Sequence, residues 1–159
     1  MLNIVLVQPE IPHNTGAIGR LCVGLGARLH LVRPLGFNLS EKRIQRAGLD
    51  YWEHLDMSVH DSWQGLLNDT GARNPADGRG LFFLSTRGEK SLYDCVFSGD
   101  VFLVFGSESR GLPGEIYSEY RDALFKIPMP GEHARSINLA NAVAIAAYEA
   151  YRQILGTNI

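Results

Sequence analysis

The sequence predicts an α/β fold with a mostly parallel sheet flanked by helices. Three observations predict it. Short, continuous apolar runs at Leu2–Val7, 80–85 and Val101–Phe105 have the character of strands buried on both faces. Helical stretches alternate with these runs, as the crossovers of a parallel sheet require. The 159 residues (17.6 kDa) suit a single domain, 1–159, that can bury a core without disulfides or metal.

The elements follow in order. Leu2–Val7 is the first strand, and Pro9 and Pro12 stop it and force an extended loop. Asn14 or Thr15 can cap a helix running to about Leu25, with Gly26 as its stop. Arg28–Val32 reads as a second strand ending before Pro34. Ser40 can cap a helix through about Arg46, and Asp61 with Gln64 has capping-box spacing before a helix through about Leu67. The stretch 68–80 is rich in Asn, Asp, Gly and Pro and is expected as a loop. After the strands 80–85 and 101–105, Pro113 can open a short helix, and 124–127 is a last strand. The final helix spans about 138–155. Its centre, Ala142 to Tyr148, is apolar nearly all round, which implies burial on several sides.

Composition narrows the function. Apolar residues make up 45% and charged residues 20%, which excludes a disordered chain. No apolar run approaches the ~20 residues of a membrane span. The opening Met1 to Glu10 has neither a basic stretch nor a small-residue cleavage site, so no signal peptide is expected. Cys22 and Cys95 stand far apart, as reduced thiols of a cytoplasmic protein would. The five histidines lack metal-ligand spacing, and no metal is expected. The net charge of −2 makes no general electrostatic case for nucleic acid. However, 12 arginines stand against 3 lysines. The planar fork of arginine suits phosphate recognition, although ordinary surface ion pairs would use it equally.

Several motifs nearly match and fail. Gly106 to Gly111 has Walker A glycine spacing, but Leu112 and Pro113 follow where Lys and Ser/Thr are required. The same segment lacks the first glycine of a nucleophile elbow, and no G-x-G-x-x-G follows the first strand. What remains are three polar, glycine-containing loops, each just after an apolar strand: 9–20, 105–113 and 127–142. In an open α/β sheet, ligands bind at that edge. In the third loop Ser136, Asn138 and Asn141 crowd the start of the last helix, where capping by Ser136 or Asn138 would also account for them. Glu108 and Arg110 in the second could equally be a solvated pair.

Together the loops resemble the three motifs of the SPOUT superfamily of RNA methyltransferases. Asn14-Thr15-Gly16-Ala17-Ile18-Gly19-Arg20 resembles the Asn-x-Gly-x-x-x-Arg of its ribose 2′-O-methylating branch. Phe105 to Leu112 resembles the branch's Gly-x-Glu-x-x-Gly loop, and Ile127 to Val143 its Ile-Pro-Met…Ser-Leu-Asn segment, with Ile137 in place of the usual Leu. The short length and the segment Lys42 to Tyr51 are similar to the minimal members that act on the wobble nucleotide of tRNA.

The resemblance implies a SPOUT-type α/β fold with a deep C-terminal trefoil knot, a homodimer, and S-adenosyl-L-methionine as methyl donor, leaving S-adenosyl-L-homocysteine. It implies donor binding by Leu84, Gly106, Ile127, Met129 and Ser136, largely through backbone groups. It assigns the catalytic role to Arg20, reaching the donor of the other protomer, with Asn14 orienting Arg20 or the ribose. Glu108, Ser136 and Asn138 are further candidates. Arg43 and Arg46 are the expected contacts to the tRNA anticodon loop. Because arginine resists deprotonation, Arg20 is read as orienting the 2′-hydroxyl and stabilising developing alkoxide charge, with RNA phosphate or solvent taking the proton. A base-methylating relative would want a carboxylate base, so Asn14 and Arg20 favour ribose. Another tRNA position, ribosomal RNA, or a non-enzymatic RNA-binding module of the same fold are the alternatives.

Overall fold

Strand β1 (Leu2–Val7) is buried along its whole length, and alternate residues leave it toward two separate cores. Leu2, Ile4 and Leu6 join one core, and Val5 and Val7 the other. The computed structural model describes residues 1–40 and 49–156. Among them, seven strands form one sheet in the order β3-β2-β1-β6-β4-β7-β5, and every pairing is parallel. The further strands are β2 (Arg28–Val32), β3 (Met57–His60), β4 (Gly80–Leu84), β5 (Lys90–Ser91), β6 (Val101–Phe105) and β7 (Leu124–Lys126). The strands at 57–60 and 90–91 were not expected. Both lie at the sheet's edges and are too short to leave an apolar run in the sequence.

The helices are α1 (Pro12–Leu25), α2 (Trp63–Thr70), α3 (Gly114–Glu119) and α4 (Leu139–Gly156). Ile18 and Cys22 of α1 and Val143, Ala146, Ala147 and Ala150 of α4 pack on the face of the sheet that carries Ile4, Leu29 and Leu103. Leu66 of α2 and Ile116 of α3 cover the opposite face with Phe83 and Val104. Helix α4 thus buries one stripe, while Ile145, Tyr148 and Leu155 remain on its outer side. The expected burial on several sides is met on one side within the single chain.

Two caps differ from expectation. Helix α1 begins at Pro12, and Ile11, its N-cap, makes no side-chain cap; Asn14 and Thr15 lie buried in the first turn instead. The reason is Pro12, whose fixed φ and absent N–H suit the first helical position. Ser62, not Asp61, caps α2, its hydroxyl accepting from the Gly65 N–H at 3.0 Å. The α1 stop at Gly26, in the left-handed conformation at φ 61°, is as expected. The expected helix from Ser40 through Arg46, with Arg43 and Arg46, lies outside the described residues.

Parallel pairing sends the C-terminal ends of β1, β4, β6 and β7 to one edge of the sheet. Strand β7 enters between β4 and β5, both earlier in the chain, and α4 then returns across to α1 and β1.

Candidate active site

The three loops meet at that edge through a continuous line of polar contacts. Glu108, half-buried in the loop after β6, accepts the Glu10 N–H at 2.7 Å and the Ile11 N–H at 3.1 Å. These are the residues that lead into α1. A carboxylate nearly a hundred residues away in sequence therefore takes the place of the helix's missing side-chain cap, and its charge suits the helix N-terminus. Glu108 also accepts from Asn14 Nδ2 at 3.1 Å. Asn14 Oδ1 in turn accepts from Asn138 Nδ2 at 3.0 Å. Asn138 Oδ1 caps α4, accepting from the N–H groups of Ala140 (2.9 Å) and Asn141 (3.4 Å). Of the two expected capping residues, Asn138 is the one that caps.

A second clasp runs the other way. Ser109 donates to the Glu10 carboxylate from its N–H at 3.0 Å and from its hydroxyl at 2.8 Å. Those bonds hold the Glu10 carboxyl below the ordinary carboxylate range. Glu108 is thus engaged with the first loop and makes no ion pair with Arg110 among the described residues.

These contacts frame a cleft of about 570 Å³, within the range of small-molecule sites. Leu84, Gly106, Ile127, Met129 and Ser136 all line it, as do Asn14, Glu108 and Asn138. Its apolar wall includes Leu84, Leu112, Ile127, Met129 and Ala142. The loop Ser107–Gly111 folds back on itself, each of its end residues donating its N–H to the other's carbonyl, at 3.0 and 2.9 Å. The sequence offered no sign of Tyr117, which also lines the cleft. Its hydroxyl bonds Ser85 Oγ at 2.9 Å and accepts the Leu112 N–H at 3.4 Å, and Arg87 lies over its ring at 4.7 Å. A tyrosine on a short helix carries no pattern that distinguishes it from a packing residue.

Gly106 is a glycine that the turn itself requires. A Cβ there would overlap the backbone of Gly111 and Leu112. The loop's own return, before any ligand, excludes a side chain.

Arg20 does not line this cleft. It stands six residues after Asn14, roughly 240° further round the helix, exposed on α1. Its guanidinium lies over the Tyr51 ring, 4.9 Å from the centroid. Among the described residues, no group of His, Cys, Asp and Glu could hold a metal ion, and no helix is long and apolar enough to cross a membrane.

Known proteins are similar to this chain over most of its length. A tRNA (cytidine(34)-2′-O)-methyltransferase from Polaromonas sp. is 48% identical over 155 residues, 96% of this chain and 91% of that protein. A solved structure concerned with 2-OH methylation of C/U34 on tRNA has a TM-score of 0.88 at 51% identity, covering 98% of this chain and 97% of that one. A SpoU methyltransferase from Streptomyces viridochromogenes, solved in complex with the cofactor AdoMet, has a TM-score of 0.81 at 26% identity; 96% of this chain matches 57% of that one. The model of the SpoU rRNA Methylase family matches residues 1–148, a span holding all three loops and every strand that positions them, and the chain belongs to that family.

Proposed function

We propose that the chain transfers a methyl group from S-adenosyl-L-methionine to the ribose 2′-oxygen of the wobble nucleotide of tRNA. The observation that carries this reading is the convergence of the three loops on one cleft, joined by the Glu108–Asn14–Asn138 line of hydrogen bonds. The names of the similar proteins support position 34 as the target.

The residues present suit the donor. Leu84, Ile127 and Met129 offer an apolar slot, and the backbone of 106–112 and 127–136 offers N–H and C=O groups to an adenine edge. Bound there, the donor supplies a methyl group already activated on a sulfonium. The protein's task is then alignment, which can supply much of a rate acceleration. Arg20 orients the 2′-hydroxyl and stabilises charge that develops on its oxygen. Asn14 holds the first loop to the other two, since both ends of its amide are engaged. Glu108, which lines the cleft, and Glu10, bonded to Ser109 beside it, are taken up by N–H and O–H donors, which favours RNA phosphate or solvent as the proton acceptor.

Because Arg20 faces away from its own cleft, a homodimer that brings it to the partner's donor fits the geometry. The open stripe of Ile145, Tyr148 and Leu155 on α4 offers apolar surface for such an assembly. The insertion of β7 between β4 and β5 supports the trefoil knot. A cytoplasmic location accompanies a tRNA substrate.

Nucleoside mass spectrometry of tRNA from cells with and without the gene tests the reading. The expected result is loss of 2′-O-methylation at the first anticodon position alone. Unchanged anticodon methylation overturns it, and loss at another tRNA position or in ribosomal RNA redirects it.

A further inference from the structure

The contact between Arg20 and Tyr51 is built rather than incidental. Tyr51 sits in a 3-10 helix, Leu49–His54, that docks on α1 beside Arg20. The docking is close. A Cβ on Gly19 would meet Leu55 Cδ2 at 3.0 Å and Trp52 Cζ3 at 3.2 Å, so both side chains rest directly on the helix backbone one residue before the arginine. Leu55 packs on into the core, and its N–H donates to the Trp52 carbonyl at 3.2 Å. The segment carrying Tyr51 is thereby anchored to the same helix turn that carries Arg20.

The manner of holding has a chemical consequence. Among the described residues, no carboxylate pairs with Arg20. A carboxylate would occupy the N–H edge of the guanidinium, the edge a substrate oxygen needs. An aromatic ring holds the cation through its face and leaves the N–H groups free around the rim.

We propose that Tyr51 is a positioning residue for methyl transfer, holding the Arg20 guanidinium face-on so that its N–H edge is offered to the ribose. This rests on the role of Arg20 given above. The ring is the working part and the hydroxyl is dispensable.

The test uses the full-length protein with AdoMet and substrate tRNA. Tyr51→Leu, which keeps apolar bulk without the ring, is expected to lower kcat about tenfold, while donor affinity and the KM for tRNA change by less than about twofold. Tyr51→Phe is expected to restore kcat to within about twofold of the unaltered protein. A rise in KM for tRNA with kcat unchanged would assign Tyr51 to RNA contact and overturn the proposal. Failure of the Phe variant to restore kcat would overturn it as well. Loss of donor binding or folding in Tyr51→Leu, measured by calorimetry and circular dichroism, would make the residue structural. Arg20→Ala tests the underlying reading separately: it should abolish transfer and leave donor affinity intact. Should Arg20→Ala retain full activity, the role of Arg20 falls, whatever Tyr51 does.

Discussion

At the scale of single residues, Glu108 ties the second loop to the entry of α1. One carboxylate receives three N–H donors, two from the backbone entering α1 and one from Asn14. Glutamine in its place would remove the charge and set an NH2 group against an N–H donor. Hydrogen bonds to charged groups contribute about 1.5–3 kcal/mol each. Glu108→Gln is therefore expected to destabilise the protein by about 2 kcal/mol and to weaken donor binding at least tenfold. Urea denaturation and calorimetry measure the two. An unchanged donor affinity would show that the clasp of the loops does not shape the cleft. Gly106 teaches a related lesson. Its substitution would disturb the Ser107–Gly111 turn before it touched a ligand, so loss of donor binding in a Gly106 variant would not by itself map the site.

At the scale of elements, α4 shows why small residues stand where the helix meets the sheet. Ala146, Ala147 and Ala150 are fully buried with Val143, against a face that includes Ile18 and Cys22 of α1. Alanine lets two helices and a strand approach closely, and a larger side chain has no void to enter. Ala146→Leu is expected to cost about 1–3 kcal/mol of stability, read as a lower midpoint in urea. Equal stability would mean that the interface yields more than close packing allows. The same helix has an outer side where Ile145 and Tyr148 are exposed, so the sequence's all-round apolar character divides into a buried stripe and an open one. Periodicity alone cannot make that division when nearly every position is apolar.

At the scale of the whole molecule, acid sensitivity follows from a buried histidine relay. His30 on β2 lies 3.0 Å from His60 on β3, and the outer nitrogen of His60 lies 2.8 Å from Asp69 on α2. The far nitrogen of His30 reaches Asn3 on β1 at 3.2 Å. Burial, then the neighbouring His60 and Arg28, lower the His30 pKa from 6.5 to about 4, with Asp56 acting in the opposite sense. The unfolded chain thus binds a proton that the folded chain refuses between those values. Stability contributed by neutral His30 is complete above about pH 6.5, declines as pH falls through the window, and is gone below about 4. The loss across the window is on the order of 3 kcal/mol. Chemical denaturation at about pH 7 and about pH 4.5 measures it. A midpoint that does not fall between them would contradict the assignment.

Much was legible in the residues themselves. The apolar runs of β1, β2 and β6, the stop at Gly26, the strand that ends at Leu84 and the loops that hold Gly106, Ile127, Met129 and Ser136 depend on local preferences and on burial patterns with a short period. The order of three loop motifs pointed to the family for the same reason, since each motif is contiguous in sequence. Only the tertiary structure decided which groups meet: that Glu108 would cap a helix from a distant loop, that Asn14 would serve as a link and not as a cap, that Tyr117 would brace the cleft and Tyr51 would carry Arg20. Strands β3 and β5 likewise exist because neighbouring strands offer them partners. The physical reason is common to all of these. Propensity and hydrophobic pattern act over a few neighbouring residues, whereas a hydrogen bond between loops becomes available only after the sheet has brought its strand ends to one edge.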